Sequence, residues 1–492
     1  MKILFVSPEV YPFAKTGGLA DVGGALPPYI KKLGHDIRII LPGYGTIDRQ
    51  RFRIRKVRNS ALAPIQIGGK TEHAGLSATM LPGSDVKTYF VENDHYYDRP
   101  ELYKNPVSNG DWDDNDQRFL FFNLAVLKSM ETLNWVPDVI HCNDWQSSLI
   151  PLLLKTHYIR LGINSLLTIH NIAYQGIFES SFLELWDFPE YLSYPYSGIE
   201  YWGKVNLLKA GIVYADVINA VSPTYSHEIQ QSEEYGCGLE GVLRDRTRDI
   251  YGILNGVDYE TWSPETDSHI PHTFSKDKLE GKRKNKRNLL EDSGLIYDER
   301  TPLIGIISRL VDQKGFDLIG DIIHKLMKLN LQIIILGTGE QKYHKLFTEL
   351  MAQYPKKLVV HLKFDNTLAH RIEAGSDIFL MPSKYEPCGL NQMYSLRYGT
   401  VPIVRKTGGL ADTITEYNRL SKEGNGFVFE KYDSDSLFQA IKRALQLYSN
   451  KTEWKKLMGN GMEEDFSWDR SAREYVKIYE TKFNKNQLLS VS

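Results

Sequence analysis

Three things are scarce in this sequence, and each scarcity excludes a class of protein. No apolar run approaches the ~18 residues that a membrane-spanning helix requires. The first such run, in MKILFVSPEV, breaks at Ser7, Pro8 and Glu9 and reads as a buried strand, too short for a signal peptide. Cysteine is limited to Cys142, Cys237 and Cys388, odd in number and far apart. That spacing gives neither a disulfide framework nor a zinc ligand set, and it points to a reducing, cytoplasmic setting. An excess of one charge is also missing: 59 Lys and Arg stand against 61 Asp and Glu, a net charge of −2. The balance argues against general binding to nucleic acid or to a membrane surface, while a local cluster of cations can still hold a phosphate. Aromatic residues, by contrast, are well supplied, with 29 tyrosines. Packing accounts for most such residues, and stacking on the apolar faces of sugars is the functional alternative.

At 492 residues the chain is too long for one ordinary domain and suits two large α/β domains. Short β-branched runs form two series. The first comprises Ile3–Val6, Ile37–Leu41, Val139–His141, Leu166–Ile169 and Val217–Val221. The second comprises Leu303–Ile307, Gln332–Leu336, Leu358–His361, Ile378–Met381 and Val401–Val404. Continuous apolar strands alternating with helices imply a parallel sheet covered on both faces. A polar interval from Tyr259 to Arg300 separates the series, and its basic run Lys282–Arg287 reads as a solvated helix face.

One heptapeptide, KTGGLAD, occurs twice, at Lys15–Asp21 and Lys406–Asp412. The first copy precedes a helical stretch Val22–Lys32, and the second leads into Thr413–Leu420. Paired glycines at a strand-to-helix turn serve a tight turn or let backbone amides approach a phosphate at a helix N-terminus. Two copies, one in each half, favour ligand binding. They suggest two Rossmann-like domains facing each other across a cleft.

Other motifs fall at strand ends, where open α/β sheets bind ligands. SRLVDQKG (Ser308–Gly315) offers Arg309 and Lys314, a planar fork and a mobile point charge suited to a diphosphate, unless both are plain surface cations. In SKYEPCGL, Glu386 follows strand Ile378–Met381, and the amides of Cys388, Gly389 and Leu390 could point at sugar hydroxyls from the start of helix Asn391–Arg397. Glu386 could equally be a carboxylate that favours a helix start. HCNDWQ and TIHNIAYQG end strands of the first half and present Asp144, His170 and Asn171. A lone histidine is commonly structural; one at a strand end followed by Asn is a candidate for the same cleft.

KTGGLADV, HCNDWQ, TIHNIAYQG, AVSPTY, GILNGVD, SRLVDQKG, EPCGL and RYGTVPIVRKTGGLADT stand in the order seen in bacterial glycogen synthases and plant starch synthases. The resemblance spans Lys2 to Phe483. It implies the GT-B fold: two Rossmann-like, doubly wound parallel-sheet domains (1–250 on the acceptor side, 251–466 on the donor side), with a 467–492 helix returning to the first. It implies retaining transfer of glucose from ADP-glucose to the non-reducing end of an α-1,4-glucan, with no cofactor and no metal. Carried over, Lys15, Gly17 and Gly18 meet the donor's phosphates and sugar, and Arg309 and Lys314 neutralise the diphosphate. His170 and Asn255 touch the donor glucose, and Glu386 with the Cys388–Leu390 amides holds its hydroxyls. Phe364 lies near the base, where relatives often have tyrosine. Asp144 stands between donor and acceptor, and Tyr97 touches the acceptor. Asn391 and Gln146 depart from the commoner Thr and His, and Tyr394 stands eight residues after Glu386, where related transferases often have a second Glu.

Two rival chemistries lack their signatures. A dinucleotide oxidoreductase needs G-x-G-x-x-G after its first strand, and GTGEQK at Gly337–Lys342 lacks the third glycine and lies far from that strand. A metal-dependent transferase needs an acidic pair at a strand end. Asp433 and Asp435 instead precede a helical stretch, Leu437–Leu447, and read as an N-cap. A non-catalytic glucan-binding protein would be expected to have lost Lys15, Arg309 and Lys314, which are all present.

Overall fold

The computed structural model describes residues 1–108 and 110–483; the end of the 467–492 segment lies outside them. The chain divides into two compact units. One is Met1–Gly256 together with the C-terminal helix that begins at Trp468, and the other is Val257–Ser467.

The first unit is built on a nine-stranded sheet. Its order is Ile250–Gly252, Val217–Ala220, Asn164–Ile169, Val139–Asn143, Lys2–Val6, Asp36–Pro42, Lys87–Glu92, Gly75–Met80 and Arg55–Lys56. The first seven are parallel, and the last two add antiparallel at one edge. Lys2–Val6 lies between Asp36–Pro42 and Val139–Asn143, so chain order reverses beside it. Ligands bind outside the carboxyl ends of strands at such a switch point. Glu9, Asp144 and His170 follow the ends of Lys2–Val6, Val139–Asn143 and Asn164–Ile169, three neighbouring strands.

The second unit holds six parallel strands in the order Leu358–His361, Gln332–Leu336, Leu303–Ile307, Ile378–Met381, Val401–Arg405, Phe427–Phe429. Its switch point lies between Leu303–Ile307 and Ile378–Met381, the strands that lead into Arg309 and Glu386. The helix Phe316–Leu326 shows why such a sheet is covered. Phe316, Ile319, Ile322, Ile323 and Leu326 recur at helical spacing and are all fully buried. Each contributes about 1.5–3 kcal/mol by leaving water.

The C-terminal helix Trp468–Phe483 packs on the first unit against the helix Gly18–Lys32. Trp468, Ala472, Tyr475, Tyr479 and Phe483 form its buried stripe. Tyr479 Oη lies 2.7 Å from His141 Nδ1, and Asn219 Nδ2 donates to Tyr475 Oη at 2.8 Å. No helix among the described residues is long and apolar enough to cross a membrane.

All ten expected strands form, and Asp433 caps helix Ser434–Tyr448 by accepting from the Ser436 amide at 2.7 Å. Three local expectations fail. The helix after the first KTGGLAD starts at Gly18, four residues before Val22. The helix at the second copy is Gly408–Thr413 and stops where Thr413–Leu420 was expected to be helical. There Asn425 takes the chain instead: its Oδ1 accepts from Thr415 N and its Nδ2 donates to Thr413 O. The basic run is not uniformly solvated either. Lys282 and Lys286, one turn apart on helix Glu280–Asp292, both point inward. Lys282 donates to Thr400 Oγ1 at 2.7 Å, and burial pulls its ammonium down to about 7. Lys286 pairs with Asp377 at 2.6 Å.

Candidate active site

In the first unit the site grows from a buried carboxylate that the motif reading passed over. Glu9 follows the first strand and is almost fully buried. Its carboxylate accepts from the Thr16 amide, from Thr16 Oγ1 at 2.6 Å, from Gly17 N at 3.2 Å and from Tyr103 Oη at 2.8 Å. It therefore fills the anion position at the start of the helix Gly18–Lys32. This corrects the expected role of the Gly17 amide: it is engaged by Glu9, within the chain. Gly17 still has an open Cα face, since a Cβ there would meet no atom within 4 Å. Lys15 Nζ makes a two-pronged, exposed pair with Asp21 at 2.7 and 2.9 Å.

Asp144 sits at φ 55°, uncommon for a residue with a side chain and characteristic of functional turns. Its Oδ1 accepts from His170 N at 2.7 Å. Burial pushes its carboxyl up to about 7, against the pull of the His170 and Asn171 amides and with help from the charge of Glu9. His170 is buried, and desolvation lowers its imidazole to about 3, so it is neutral at physiological pH. Its Nε2 lies 2.9 Å from Asn143 Oδ1, while Asn143 Nδ2 donates to Val6 O at 3.0 Å. The Val6 carbonyl thus fixes the Asn143 amide, whose oxygen in turn requires the proton on His170 Nε2 and leaves Nδ1 as an acceptor. Asn171 turns its own chain, with Oδ1 accepting from Ala173 N at 3.1 Å.

Asn255 follows the edge strand Ile250–Gly252, and its buried Oδ1 has no hydrogen-bond partner among the described residues; the same holds for Gln146 Oε1, beside Asp144. Buried acceptors of this kind need a partner, and a ligand is one. Tyr97 must be removed from the acceptor residues. It is fully buried, its hydroxyl donates to Arg118 O at 3.2 Å, and its ring packs on Tyr44. The apolar side of the short helix Asp94–Tyr97 places it in the core.

In the second unit, Lys314 and Glu386 meet directly, Nζ to Oε2 at 2.5 Å, with Ser383 Oγ on the same oxygen at 3.0 Å. The pair is mostly buried. Lys384 N donates to Gln313 O at 2.8 Å, which ties the two loops. Gly315, at φ 74°, is required because a Cβ would stand 2.2 Å from Pro382 O. Arg309 is exposed, with no side-chain partner among the described residues. Gly389 lies at φ 71°, and the Gly389 and Leu390 amides have no acceptor among the described residues. Cys388 is buried, and Asn391 Nδ2 anchors the following helix to Ile307 O at 2.8 Å. Phe364 is 83% exposed.

The glycines of the second KTGGLAD have a packing role. A Cβ on Gly408 would lie 2.0 Å from Glu386 O, and one on Gly409 would lie 2.0 Å from Cys388 O. This copy forms the back of the 386–388 loop. The structure thus groups Lys15, Gly17, Gly18, Asp144 and His170 around the first unit's strand ends, and Arg309, Lys314, Glu386 and 388–390 around the second's. Glu9, Asn143 and Ser383 carried no motif signal beyond their positions next to strand ends.

The family model "Starch synthase catalytic domain" matches residues 2–245, and "Glycosyl transferases group 1" matches residues 291–457. The chain is 47% identical to a glycogen synthase of Thermosipho melanesiensis, over 99% of this chain and 100% of that protein. The chain belongs to the glycogen synthase family. A glycogen synthase of Thermotoga maritima is also 47% identical, over 99% of both chains. Among solved structures, the catalytic domain of starch synthase IV from Arabidopsis thaliana, bound to ADP and acarbose, superposes with a TM-score of 0.89. It is 32% identical, with 98% of this chain and 99% of that one covered. Sucrose-phosphate synthase from Thermosynechococcus elongatus, at 14% identity and TM-score 0.59, shares the fold. As a member of the glycogen synthase family the protein is a glucosyltransferase of GT-B fold.

Proposed function

We propose that the protein moves glucose from ADP-glucose to the non-reducing end of an α-1,4-glucan with retention of configuration. The observation that carries this reading is the Lys314–Glu386 pair set beside the unengaged Gly389 and Leu390 amides at a switch point. A cation, a carboxylate and two donors at the carboxyl ends of parallel strands, where such sheets bind ligands, suit a sugar diphosphate. The Arabidopsis relative, solved with ADP and acarbose, supports adenine as the base and a glucan as the acceptor.

As the glycosidic bond breaks, negative charge grows on the leaving β-phosphate. Lys314, held in place by Glu386, meets it as a preorganised positive group, and the exposed Arg309 guanidinium adds a second cation that is free to close on the phosphate. Glu386 holds the ammonium in place and accepts from a glucose hydroxyl, and Gly389 and Leu390 donate to others. Within the first unit, His170 is neutral with Nδ1 as an acceptor and Asn255 Oδ1 is a further unanswered acceptor, both suited to sugar hydroxyls. Retention is met without a covalent intermediate when the acceptor hydroxyl attacks on the face the diphosphate leaves and the departing phosphate oxygen takes its proton. These cations and amides carry the role a metal would fill, and no cofactor is needed. The free thiols Cys142, Cys237 and Cys388 support a cytoplasmic setting.

The test is ADP release from ADP-glucose with glycogen, run beside UDP-glucose and with excess EDTA. The reading predicts preference for ADP-glucose and full activity in EDTA. Loss of activity restored by magnesium would overturn the metal-free part, and equal use of UDP-glucose would overturn the base assignment.

A further inference from the structure

Two aromatic residues of the first unit are held in the open by a backbone conformation that aromatic residues rarely adopt. Tyr196 is 97% exposed at φ 68°, and Trp202 is 88% exposed at φ 53°. Trp202 and Gly203, at φ 81°, form the two-residue tip of a hairpin between strands Glu200–Tyr201 and Lys204–Asn206. A tip with two left-handed residues favours Asn, Asp or Gly first, so tryptophan is chosen against local preference. A tyrosine at positive φ departs from it as well.

One carboxylate ties both tips. Glu200 accepts from Tyr196 N at 3.2 Å and from Gly203 N at 2.9 Å. Lys209, on helix Leu207–Tyr214, donates to Ser197 O at 3.1 Å and to Glu200 O, which fastens the assembly to a buried helix. Strain that the surroundings hold in place marks functional sites. The charges nearby are already answered: Glu200 by two amides, and Lys204 by Glu179 at 2.6 Å. Rings set among mutually neutralised polar groups suit an uncharged, hydroxyl-rich polymer whose sugar faces stack on aromatic surfaces.

We propose that Tyr196 and Trp202 form an accessory platform that binds an α-1,4-glucan chain, distinct from the residues of transfer. The inference rests on the glucan reading above. The platform raises the local concentration of chain ends on a polymer and does nothing for a short acceptor.

Trp202→Asn is the decisive variant, because asparagine is favoured at that turn position. Native gel electrophoresis with glycogen cast in the gel should show at least fivefold weaker retention for Trp202→Asn and for Tyr196→Ala. The Trp202→Asn melting temperature should be unchanged or higher, and kcat with maltotriose should match wild type. Unchanged retention would overturn the platform. So would a fall in maltotriose turnover in step with glycogen affinity, or a wild-type dimer that Trp202→Asn dissociates. Wild-type transfer to maltotriose tests the proposed function separately, since retention is read with no reaction running.

Discussion

At the level of single residues, the proposed site depends on groups that hold one another. Lys314→Ala removes a cation from the proposed leaving-group site and also leaves the Glu386 carboxylate, almost fully buried, without its partner. The expected loss is ~10²–10³ in kcat, as for removal of one preorganised donor. The fold should lose about 1–3 kcal/mol, less than for a wholly buried pair because Lys314 keeps some solvent. Lys314→Arg should recover only part of the rate. A Lys314→Ala, Glu386→Gln cycle read by kcat and urea midpoint should be strongly non-additive; simple additivity would show that the two act independently. Asp144 gives a pH test. Its folded value, about 7, lies above the ~3.9 of an unfolded aspartate. The stability it contributes is fully present below ~3.9 and lost as pH rises through about 7. Asp144→Asn should therefore gain on wild type by about 2–3 kcal/mol between pH 5 and pH 8. A constant difference in unfolding free energy across that range would show that the carboxyl titrates normally.

At the scale of elements, the two KTGGLAD turns separate what a motif shows from what it does. Gly409→Ala would drive a methyl into Cys388 O, and the 386–390 loop would have to move. We expect a lowered melting temperature and loss of transfer together. Gly17→Ala meets nothing, and its φ of −150° suits any residue. It should unfold within about 1 kcal/mol of wild type while its KM for the donor rises. Equal behaviour of the two variants in the melting experiment would refute the division. The sequence made the ten core strands legible because buried parallel strands are unbroken apolar runs. The positions of Arg309, Lys314, Glu386, Asp144 and His170 after strand ends were legible for the same reason, since each follows such a run. The two copies looked equivalent because identical heptapeptides carry no record of what packs behind them. Lys282 and Lys286 looked solvated because a run of cations hides which face of a helix turns inward. Glu9 and Asn143 were silent because their partners, Thr16, Gly17, Tyr103, Val6 and His170, are joined to them only by the fold. Tyr97 misled because a resemblance carries a residue's place in the chain and not its burial.

At the scale of the whole molecule, the chain leaves its first unit at Gly256 and re-enters it at Trp468. The last helix thereby completes a polar network begun over three hundred residues earlier. His141 is fully buried with Thr168 Oγ1 and Tyr479 Oη each 2.7 Å from a ring nitrogen. Burial lowers its imidazole to about 3, so the neutral ring depends on both partners. Tyr479→Phe should cost about 1–3 kcal/mol, the penalty for one unanswered buried polar atom, read as a lower urea midpoint; no change would show that the helix is held by its apolar stripe alone. The two units together are proposed to carry out retaining transfer of glucose from an adenine sugar nucleotide to a glucan end. This transfer is tested most directly by following ADP-glucose and maltotriose with the enzyme by proton NMR. Retaining transfer requires one ADP released per glucose added and a new anomeric signal of an α-1,4 linkage from the first turnover. A β-linked product, or ADP released without chain extension, would contradict it.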